Sequence, residues 1–149
     1  DLWMLYYTGI TRDVNNIHNQ IVKNMIMNDS NTISICDEIK ANAIYTSDLI
    51  QFNDYIKLAK SIKQSWSLSK KLNKNISNEQ IDKIIDIIEP YTYGYKLIGA
   101  GGGGYILICA KNKECMLKIQ DKLNKTSKDN KARFIKMSIN QIGLQITRI

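Results

Sequence analysis

A glycine-rich segment has the residue types in this sequence that best fit chemistry on a ligand. It holds five glycines in six positions, Gly99-Ala100-Gly101-Gly102-Gly103-Gly104, and strand-like apolar residues adjoin it on both sides. Glycine allows positive φ and close approach to a ligand, and successive N–H groups without Cβ atoms can together bind an anion such as phosphate. A passive flexible linker is the alternative, but linkers do not normally join apolar strands directly. We therefore predict a structured functional loop, called the glycine loop below.

The glycine loop does not fit the two common nucleotide-binding motifs. Its letters match G-x-G-x-x-G, but a dinucleotide-binding motif requires a helix that opens directly from it. Residues 105–110 are instead an apolar, strand-like run. No Gly-Lys-Ser/Thr closes the loop, so it is not a Walker A loop either. The glycine loop must therefore belong to a different phosphate or substrate architecture.

A second irregular segment, residues 8–12, follows the first predicted strand. It offers hydroxyls, a glycine and the fixed positive charge of Arg12 at the start of a predicted helix. Helix N-termini and guanidinium groups both bind anions, so Arg12 could help to hold a phosphate or sugar hydroxyls. In the alternative interpretation, Thr11 and Asp13 only cap the helix and Arg12 is a surface cation. The sequence leaves both interpretations open.

Trp66 and Lys70 form a third candidate feature. They lie four residues apart, so they share one face of a predicted helix. Trp66 is predicted to be a core residue. Lys70 is either a solvated charge or a group that reaches a ligand near the same edge.

Composition limits the classes of function. A chain of 149 residues is long enough for one domain with a core, and no apolar run approaches the roughly 18 residues of a membrane span. The net charge is +7, from 21 basic and 14 acidic residues. The lysines are scattered rather than clustered, which supports a weak preference for anionic ligands and argues against nucleic acid.

The cysteine and histidine content argues against a disulfide framework and against a metal site. The three cysteines, Cys36, Cys109 and Cys115, are odd in number and lack C-x-x-C spacing, so reduced thiols in the cytoplasm are expected. His18 is the only histidine, and a structural role is predicted for it. The chain starts directly on a predicted strand without a signal peptide, and we interpret it as a segment of a longer polypeptide.

Apolar residues at helical spacing predict three helices after a first strand over residues 2–7. Asp13 is expected to cap the first helix, and Asn53 or Asp54 the third. The apolar positions of the first two helices are Val14, Ile17, Ile21 and Met25, and then Cys36, Ile39, Ala43 and Ile50. The buried face of the third helix is predicted to contain Tyr55, Leu58, Ile62, Trp66 and Leu72.

The remaining elements surround and follow the glycine loop. A capping box that starts at Ser77 opens a fourth helix, which stops at Pro90 and carries Ile81, Ile84, Ile85 and Ile88. After the loop and its strand, Asn112 is expected to cap a helix with Met116, Ile119 and Leu123. Two alternating strands then follow, with Ile135, Met137 and Ile139, and with Ile142, Leu144 and Ile146. The order strand, four helices, strand, helix, strand, strand predicts an α+β fold, in which helices cover a small, mainly antiparallel sheet.

Several of these segments together resemble the C-terminal domain of GHMP-family sugar kinases, and within that superfamily the L-fucokinases. The resemblance rests on Tyr6-Tyr7-Thr8-Gly9-Ile10-Thr11-Arg12, on Trp66 with Lys70, on Ser77-Asn78 and on residues 94–105. It continues in residues 132–146 and spans nearly the whole chain. It implies a ferredoxin-like sheet in a single domain over residues 1–149.

The resemblance also implies an activity. Such kinases transfer the γ-phosphoryl group of ATP, with Mg²⁺, to a hydroxyl of a small metabolite in a cleft between two domains. The ATP-binding loop, the catalytic aspartate and the Mg²⁺ ligand belong to an N-terminal domain that nothing here resembles. No catalytic or metal-binding residue is therefore expected in this chain. The substrate- or phosphate-binding residues that the resemblance implies are Thr8, Gly9, Arg12, Lys70, Gly99, Ala100, Gly101, Gly102, Gly103 and Gly104.

One departure from the family pattern concerns Arg12. Many relatives carry Ser or Thr directly after this arginine, whereas this chain has Asp13. Aspartate also caps a helix, but its negative charge would partly neutralise Arg12 and weaken its attraction for an anion.

The function predicted from the sequence is therefore the C-terminal domain of a cytoplasmic sugar kinase that makes L-fucose 1-phosphate from L-fucose and ATP. Its expected partners are the sugar, ATP and the N-terminal domain of the same chain, with neither nucleic acid nor membrane. One alternative is a D-glycero-D-manno-heptose 7-phosphate kinase. Another is a non-catalytic α+β module that binds small anions.

Overall fold

A four-stranded antiparallel sheet forms the centre of the molecule. The computed structural model describes residues 2–11, 15–99, 101–126, 131–138, 142 and 146–147. Within these ranges the strands are β1 (Trp3–Tyr7), β2 (Thr92–Ile98), β3 (Tyr105–Ala110) and β4 (Arg133–Ile135). Their spatial order is β2-β3-β1-β4, and each neighbouring pair is antiparallel. This order is ferredoxin-like and confirms the predicted α+β class.

Five helices accompany the sheet in the described part of the chain. They are α1 (Asn15–Ile26), α2 (Ser30–Gln51), α3 (Tyr55–Leu72), α4 (Glu79–Ile88) and α5 (Lys113–Thr126). Short 3₁₀ turns at Lys74–Ile76 and Glu89–Tyr91 flank α4. The caps predicted at Asp54 and Asn112 are confirmed, since each carboxylate or amide oxygen accepts a hydrogen bond from the backbone N–H three residues further on.

The predicted start of the fourth helix is wrong by one residue. Asn78 rather than Ser77 is the cap, because its Oδ1 accepts a hydrogen bond from the Ile81 N–H at 3.0 Å. The Ser77 hydroxyl instead donates to the Asp82 carboxylate at 2.7 Å. Both side chains are suitable caps, so the residue types alone do not distinguish them.

The core lies between one face of the sheet and the helices α4 and α5. Alternate residues of the strands point to this face, which is why Tyr6, Leu97 and Ile106 are all buried. The predicted stripes of the two helices are confirmed, with Ile81, Ile85, Ile88, Ile119 and Leu123 fully or almost fully buried. Burial of each such side chain is worth about 2 kcal/mol, so these stripes hold both crossover helices on the sheet.

Helix α3 packs against β2 at very short range. A Cβ atom placed on Gly94 would lie 1.8 Å from the backbone oxygen of Ala59. Only glycine therefore permits this approach of strand to helix. Nearby, Glu89 Oε1 lies 2.6 Å from Lys63 Nζ and accepts a hydrogen bond from the Tyr95 hydroxyl at 3.0 Å. The hydrogen bonds from Lys63 and Tyr95 lower the pKa of Glu89, so the carboxylate stays ionised at the junction of α3, α4 and β2.

The predicted apolar sides of α2 and α3 are partly wrong. Tyr55 is 59% exposed, and Ala43 and Ile50 are also exposed, whereas Trp66 is buried as predicted. The reason is that α2 and α3 pack through polar groups: Asn42 Nδ2 donates to the Ser61 carbonyl oxygen, and the Ser61 hydroxyl donates to Asn42 Oδ1. Hydrogen-bonded polar residues can be buried at low cost, so hydrophobic periodicity identified only part of the buried face.

The strand predictions need three corrections. The strand-like flanks predicted on both sides of the glycine loop are confirmed as β2 and β3, but the predicted order of elements counted only one of them. The strand predicted to reach Ile139 ends at Ile135, because β4 pairs only with Leu5–Tyr7 of β1. Ile142 and Ile146 lie in no strand and are exposed. Leu144 and Ile139 lie outside the described residues, as do Asp13 and Val14 of the predicted first helix.

The three cysteines are free thiols. Cys109 is buried on β3, and this burial raises its pKa to about 11. None of the described helices combines the length and the apolar character that a bilayer crossing requires.

The contact of Gly94 with Ala59 gives a test of the fold. We expect Gly94→Ala to lower the free energy of unfolding by about 3 kcal/mol, because the added methyl group collides with backbone that cannot rotate away. Gly99→Ala is the matched control: its Cβ would meet nothing within 4 Å, and it should cost roughly 1 kcal/mol through its positive φ alone. Urea unfolding followed by circular dichroism measures both, and equal losses would contradict the packing described here.

Candidate functional site

The glycine loop is a structured connection between β2 and β3. Four of its glycines have positive φ: Gly99 at 102°, Gly101 at 97°, Gly102 at 72° and Gly104 at 97°. Residues with a Cβ atom rarely adopt these angles. The number of glycines therefore follows from the path of the backbone, as expected for a structured loop rather than a passive linker.

The segment after β1 holds one side of the loop. The Thr8 backbone N–H and hydroxyl both donate to the Gly104 carbonyl oxygen, at 2.8 and 2.9 Å. The Gly104 N–H donates to the Ile10 carbonyl oxygen at 3.0 Å. The Thr8 hydroxyl oxygen also accepts a hydrogen bond from the Ile10 N–H. Both polar groups of Gly104 are thus bound to residues 8–10.

The turn before α4 holds the other side of the loop. The Gly102 N–H donates to the Ile76 carbonyl oxygen at 2.8 Å, and Asn78 Nδ2 donates to the Gly102 carbonyl oxygen at 2.9 Å. A Cβ atom on Gly101 would lie 3.2 Å from the Ile76 backbone. The N-terminus of α4 is therefore joined directly to the loop.

Two N–H groups at the centre of the loop remain available to a ligand, in addition to that of Gly99 at its start. Gly102 and Gly104 use both of their polar groups in the contacts above, whereas the N–H groups of Gly101 and Gly103 have no hydrogen-bond partner in the described part of the chain. Both residues are partly exposed. Unpaired N–H groups on adjacent turns of backbone are typical of sites that bind anions.

Gly103 is required for a different reason from its neighbours. Its φ is not in the positive range, but a Cβ atom at this position would lie 2.3 Å from the Ile10 carbonyl oxygen. The loop and the segment after β1 therefore pack backbone to backbone. Gly9, with a φ of 74°, gives residues 8–10 the bend that this packing needs.

Trp66 and Lys70, which were predicted to share one helix face, both lie on α3. The Lys70 ammonium is 5.6 Å from the centre of the Trp66 ring, a cation–π contact. In the described residues, no hydrogen bond or ion pair joins Lys70 to the glycine loop. Its positive charge does help to lower the pKa of Glu89, after the larger effects of Lys63 and Tyr95.

Another lysine, on the strand that leads into the loop, was not predicted as a site residue. Lys96 lies on β2, and its ammonium donates to the Ser65 hydroxyl at 2.6 Å. Burial lowers the pKa of Lys96, and it forms no ion pair with any described residue. A charged residue within the apolar run of β2 was the signal in the sequence that pointed to it.

The structure thus brings most of the predicted site residues together, but not all of them. Thr8, Gly9 and the described glycines of the loop form one cluster. Arg12 and Ala100 lie outside the described residues, and their roles stay predictions. Asn78 was not predicted as a site residue, and its bond to the loop could not be inferred from the sequence because 24 positions separate it from Gly102.

The cluster fits an anion better than a metal ion. Its contacts are backbone N–H groups, a hydroxyl and an amide, and none of its described residues carries a carboxylate or an imidazole. Among the described residues, no group of three or more His, Cys, Asp or Glu side chains is placed to hold a metal ion. The arrangement can bind and orient a phosphate group, and the described residues that form it carry no side chain that could act as a general base.

Comparison with known proteins gives consistent results. A family model described as "GHMP kinases C terminal" matches residues 37–129. The chain is 35% identical over 148 residues to the L-fucokinase/L-fucose-1-P guanylyltransferase of Bacteroides fragilis, which covers 99% of the chain and 16% of that protein. It is 29% identical over 104 residues to the D-glycero-alpha-D-manno-heptose 7-phosphate kinase of Campylobacter jejuni, and this match covers 69% of the chain and 30% of that enzyme.

A solved structure with the same fold is the mevalonate kinase of Methanococcus jannaschii. It is 26% identical to this chain with a TM-score of 0.67, and the match covers 89% of this chain and 38% of the other. The chain therefore spans less than a third of each sequence relative above and well under half of this structural relative.

The hydroxyl of Thr8 gives a test of the loop contacts. Thr8→Val keeps the shape but leaves the Gly104 carbonyl with one donor fewer and the Ile10 N–H without its acceptor, so we expect a loss of about 1–2 kcal/mol in unfolding free energy. Thr8→Ser keeps the hydroxyl and should lose less. Faster amide hydrogen exchange at Ile10 and Gly104 in the valine variant alone is the expected measurement. Equal exchange in the two variants would show that the hydroxyl does not hold the loop.

Proposed function

This chain belongs to the GHMP kinases, whose C-terminal domain it forms, and we propose that it is part of an ATP-dependent kinase that phosphorylates L-fucose at its anomeric hydroxyl. The observation that carries the proposal is the 35% identity to the fucokinase of Bacteroides fragilis over 99% of the chain. The match extends over 99% of the chain, so it spans the glycine loop, both segments that hold it and the core beneath them.

The geometry of the loop supports a role in phosphoryl transfer. Enzymes of this class act mainly by positioning the reactants and by stabilising negative charge on the transferred phosphoryl group. The unpaired N–H groups of Gly101 and Gly103 can bind such charge, and the rigid hydrogen-bonded frame around them would cost little reorganisation when the ligand binds. We assign to the loop the binding of a phosphate group or of the substrate beside it.

The remaining parts of the reaction would come from elsewhere in the polypeptide. The described residues do not fit Mg²⁺, since they hold no cluster of acidic side chains. We therefore propose that Mg²⁺ and most of the ATP molecule are bound by an N-terminal domain of the same polypeptide, across a cleft from the glycine loop. Mg²⁺ and cationic groups neutralise charge on the phosphates in such reactions.

The cationic side chains that the resemblance to the family assigns to the site fit an anionic ligand. Among the described residues the Lys70 ammonium forms a cation–π contact with Trp66 and no ion pair, so it can turn toward a phosphate without breaking an ion pair. Arg12 is proposed to contribute a second positive charge, which Asp13 would partly offset. Both roles are proposals that rest on the resemblance to the family.

The second candidate is a kinase for a heptose 7-phosphate. It is favoured by the 29% identity to the Campylobacter jejuni enzyme over 69% of the chain. Such a substrate carries a phosphate of its own, which the positive net charge of the chain would also accommodate.

A direct assay separates these candidates. The polypeptide that contains this chain should release ADP from ATP in the presence of L-fucose, with kcat/KM at least about tenfold higher than with D-glycero-D-manno-heptose 7-phosphate, because a site that hydrogen-bonds one set of hydroxyls rejects another. The opposite preference would favour the second candidate, and activity with neither sugar would contradict both.

The 149 residues alone provide the matched control. They should show no sugar-dependent ADP release, since they lack the proposed ATP-binding domain. Measurable phosphorylation of L-fucose by this chain would show that the division of the site between two domains is wrong.

A further inference from the structure

The peptide group between Gly102 and Gly103 has a special position in the loop. A trans peptide is planar, and its C=O and N–H point in opposite directions. The Gly102 carbonyl oxygen accepts the hydrogen bond from Asn78 Nδ2, and the N–H of the same peptide belongs to Gly103. The bond from Asn78 therefore also sets the direction in which the Gly103 N–H points.

The backbone itself does not hold this peptide in one orientation. A flip of the group changes ψ of Gly102 and φ of Gly103, and glycine accepts both signs of φ at little cost. A residue with a Cβ atom at either position would restrict the flip, but Gly103 cannot be replaced because of the Ile10 carbonyl oxygen 2.3 Å from its missing Cβ. The orientation must come from a hydrogen bond.

Asn78 is held well enough to supply it. Its Oδ1 accepts from the Ile81 N–H at 3.0 Å, and its backbone oxygen accepts from the Asp82 N–H at 2.9 Å. Ile81 is completely buried in the core. The amide of Asn78 is thus oriented by the first turn of α4, and the loop takes its orientation from a helix anchored in the core.

We propose that Asn78 is a positioning residue that prevents a flip of the Gly102–Gly103 peptide and keeps the Gly103 N–H available to a phosphoryl oxygen. The expected effect on catalysis rests on the proposed kinase function, whereas the hydrogen bond from Asn78 to Gly102 does not depend on it. Asn78 has two tasks, since one end of its amide caps α4 and the other end orients the loop.

Two substitutions separate the two tasks. Asn78→Ser keeps a good cap but has no group that reaches the Gly102 carbonyl oxygen. Asn78→Asp keeps the size and the cap, and places a carboxylate oxygen against that carbonyl. The matched control is Asn112→Ser at the start of α5, because Asn112 caps its helix through the Cys115 N–H in the same way and contacts no glycine of the loop.

The activity measurement uses the polypeptide that contains this chain. We expect kcat to fall about 100-fold in Asn78→Ser and Asn78→Asp, as when one donor to a developing charge is lost, with little change in KM for the sugar. Asn112→Ser should keep the parent kcat. A kcat within twofold of the parent in both Asn78 variants, or an equal loss in Asn112→Ser, would overturn the proposal.

A second readout does not depend on activity. In ¹⁵N spectra of the 149-residue chain, titration with inorganic phosphate should shift the Gly103 amide in the parent and in Asn112→Ser, and this shift should be lost in Asn78→Ser. Thermal unfolding checks that the three proteins keep the same fold. If the parent polypeptide phosphorylates neither sugar, the proposed function fails, and the spectra still decide the role of Asn78. An unchanged Gly103 response in Asn78→Ser, or no response in the parent, would contradict it.

Discussion

The site depends on one constraint, which is that the polar backbone groups of the glycine loop must find partners without help from side chains of their own. Gly102 and Gly104 meet it by bonding to two segments that are far apart in the sequence, residues 8–10 and residues 76–78. These segments are the end of β1 and the approach to α4. The strand, the helix and the β2–β3 connection must therefore converge at one edge of the sheet, and the ferredoxin-like order brings them there.

Close backbone packing that only glycine allows also occurs on β2, where the strand meets α3. Gly94 lets α3 pack backbone to backbone on the strand, and the ionised Glu89 joins α3 to α4 through Lys63 and Tyr95. The helix that carries Trp66 and Lys70 is thereby fixed on β2, the strand that leads into the loop. The core itself positions the loop through α4, whose cap Asn78 binds Gly102.

Much of the fold could be predicted because local pattern and tertiary burial agree in most elements. Ile81, Ile85 and Ile88 repeat at helical spacing, and all three are buried. The prediction failed in part where they disagree: α2 and α3 also pack through Asn42 and Ser61, so several apolar residues of these helices, such as Tyr55 and Ile50, are exposed. The predicted length of β4 was also wrong, because this length is set by the few residues of β1 with which β4 pairs and not by the alternation of its own side chains.

The sequence by itself determined that a glycine loop joins two strands, that its glycines serve a structural purpose, and which family the chain resembles. These properties depend on residue type and spacing over a few neighbouring positions, so they can be recognised in the sequence without the tertiary structure. Only the tertiary structure decided which loop N–H groups stay unpaired and that Asn78, rather than Lys70, contacts the loop. The physical reason is that hydrogen bonds between Gly102 and residues 24 positions away, or between Gly104 and residues 96 positions away, are made by folding, and no local pattern records them.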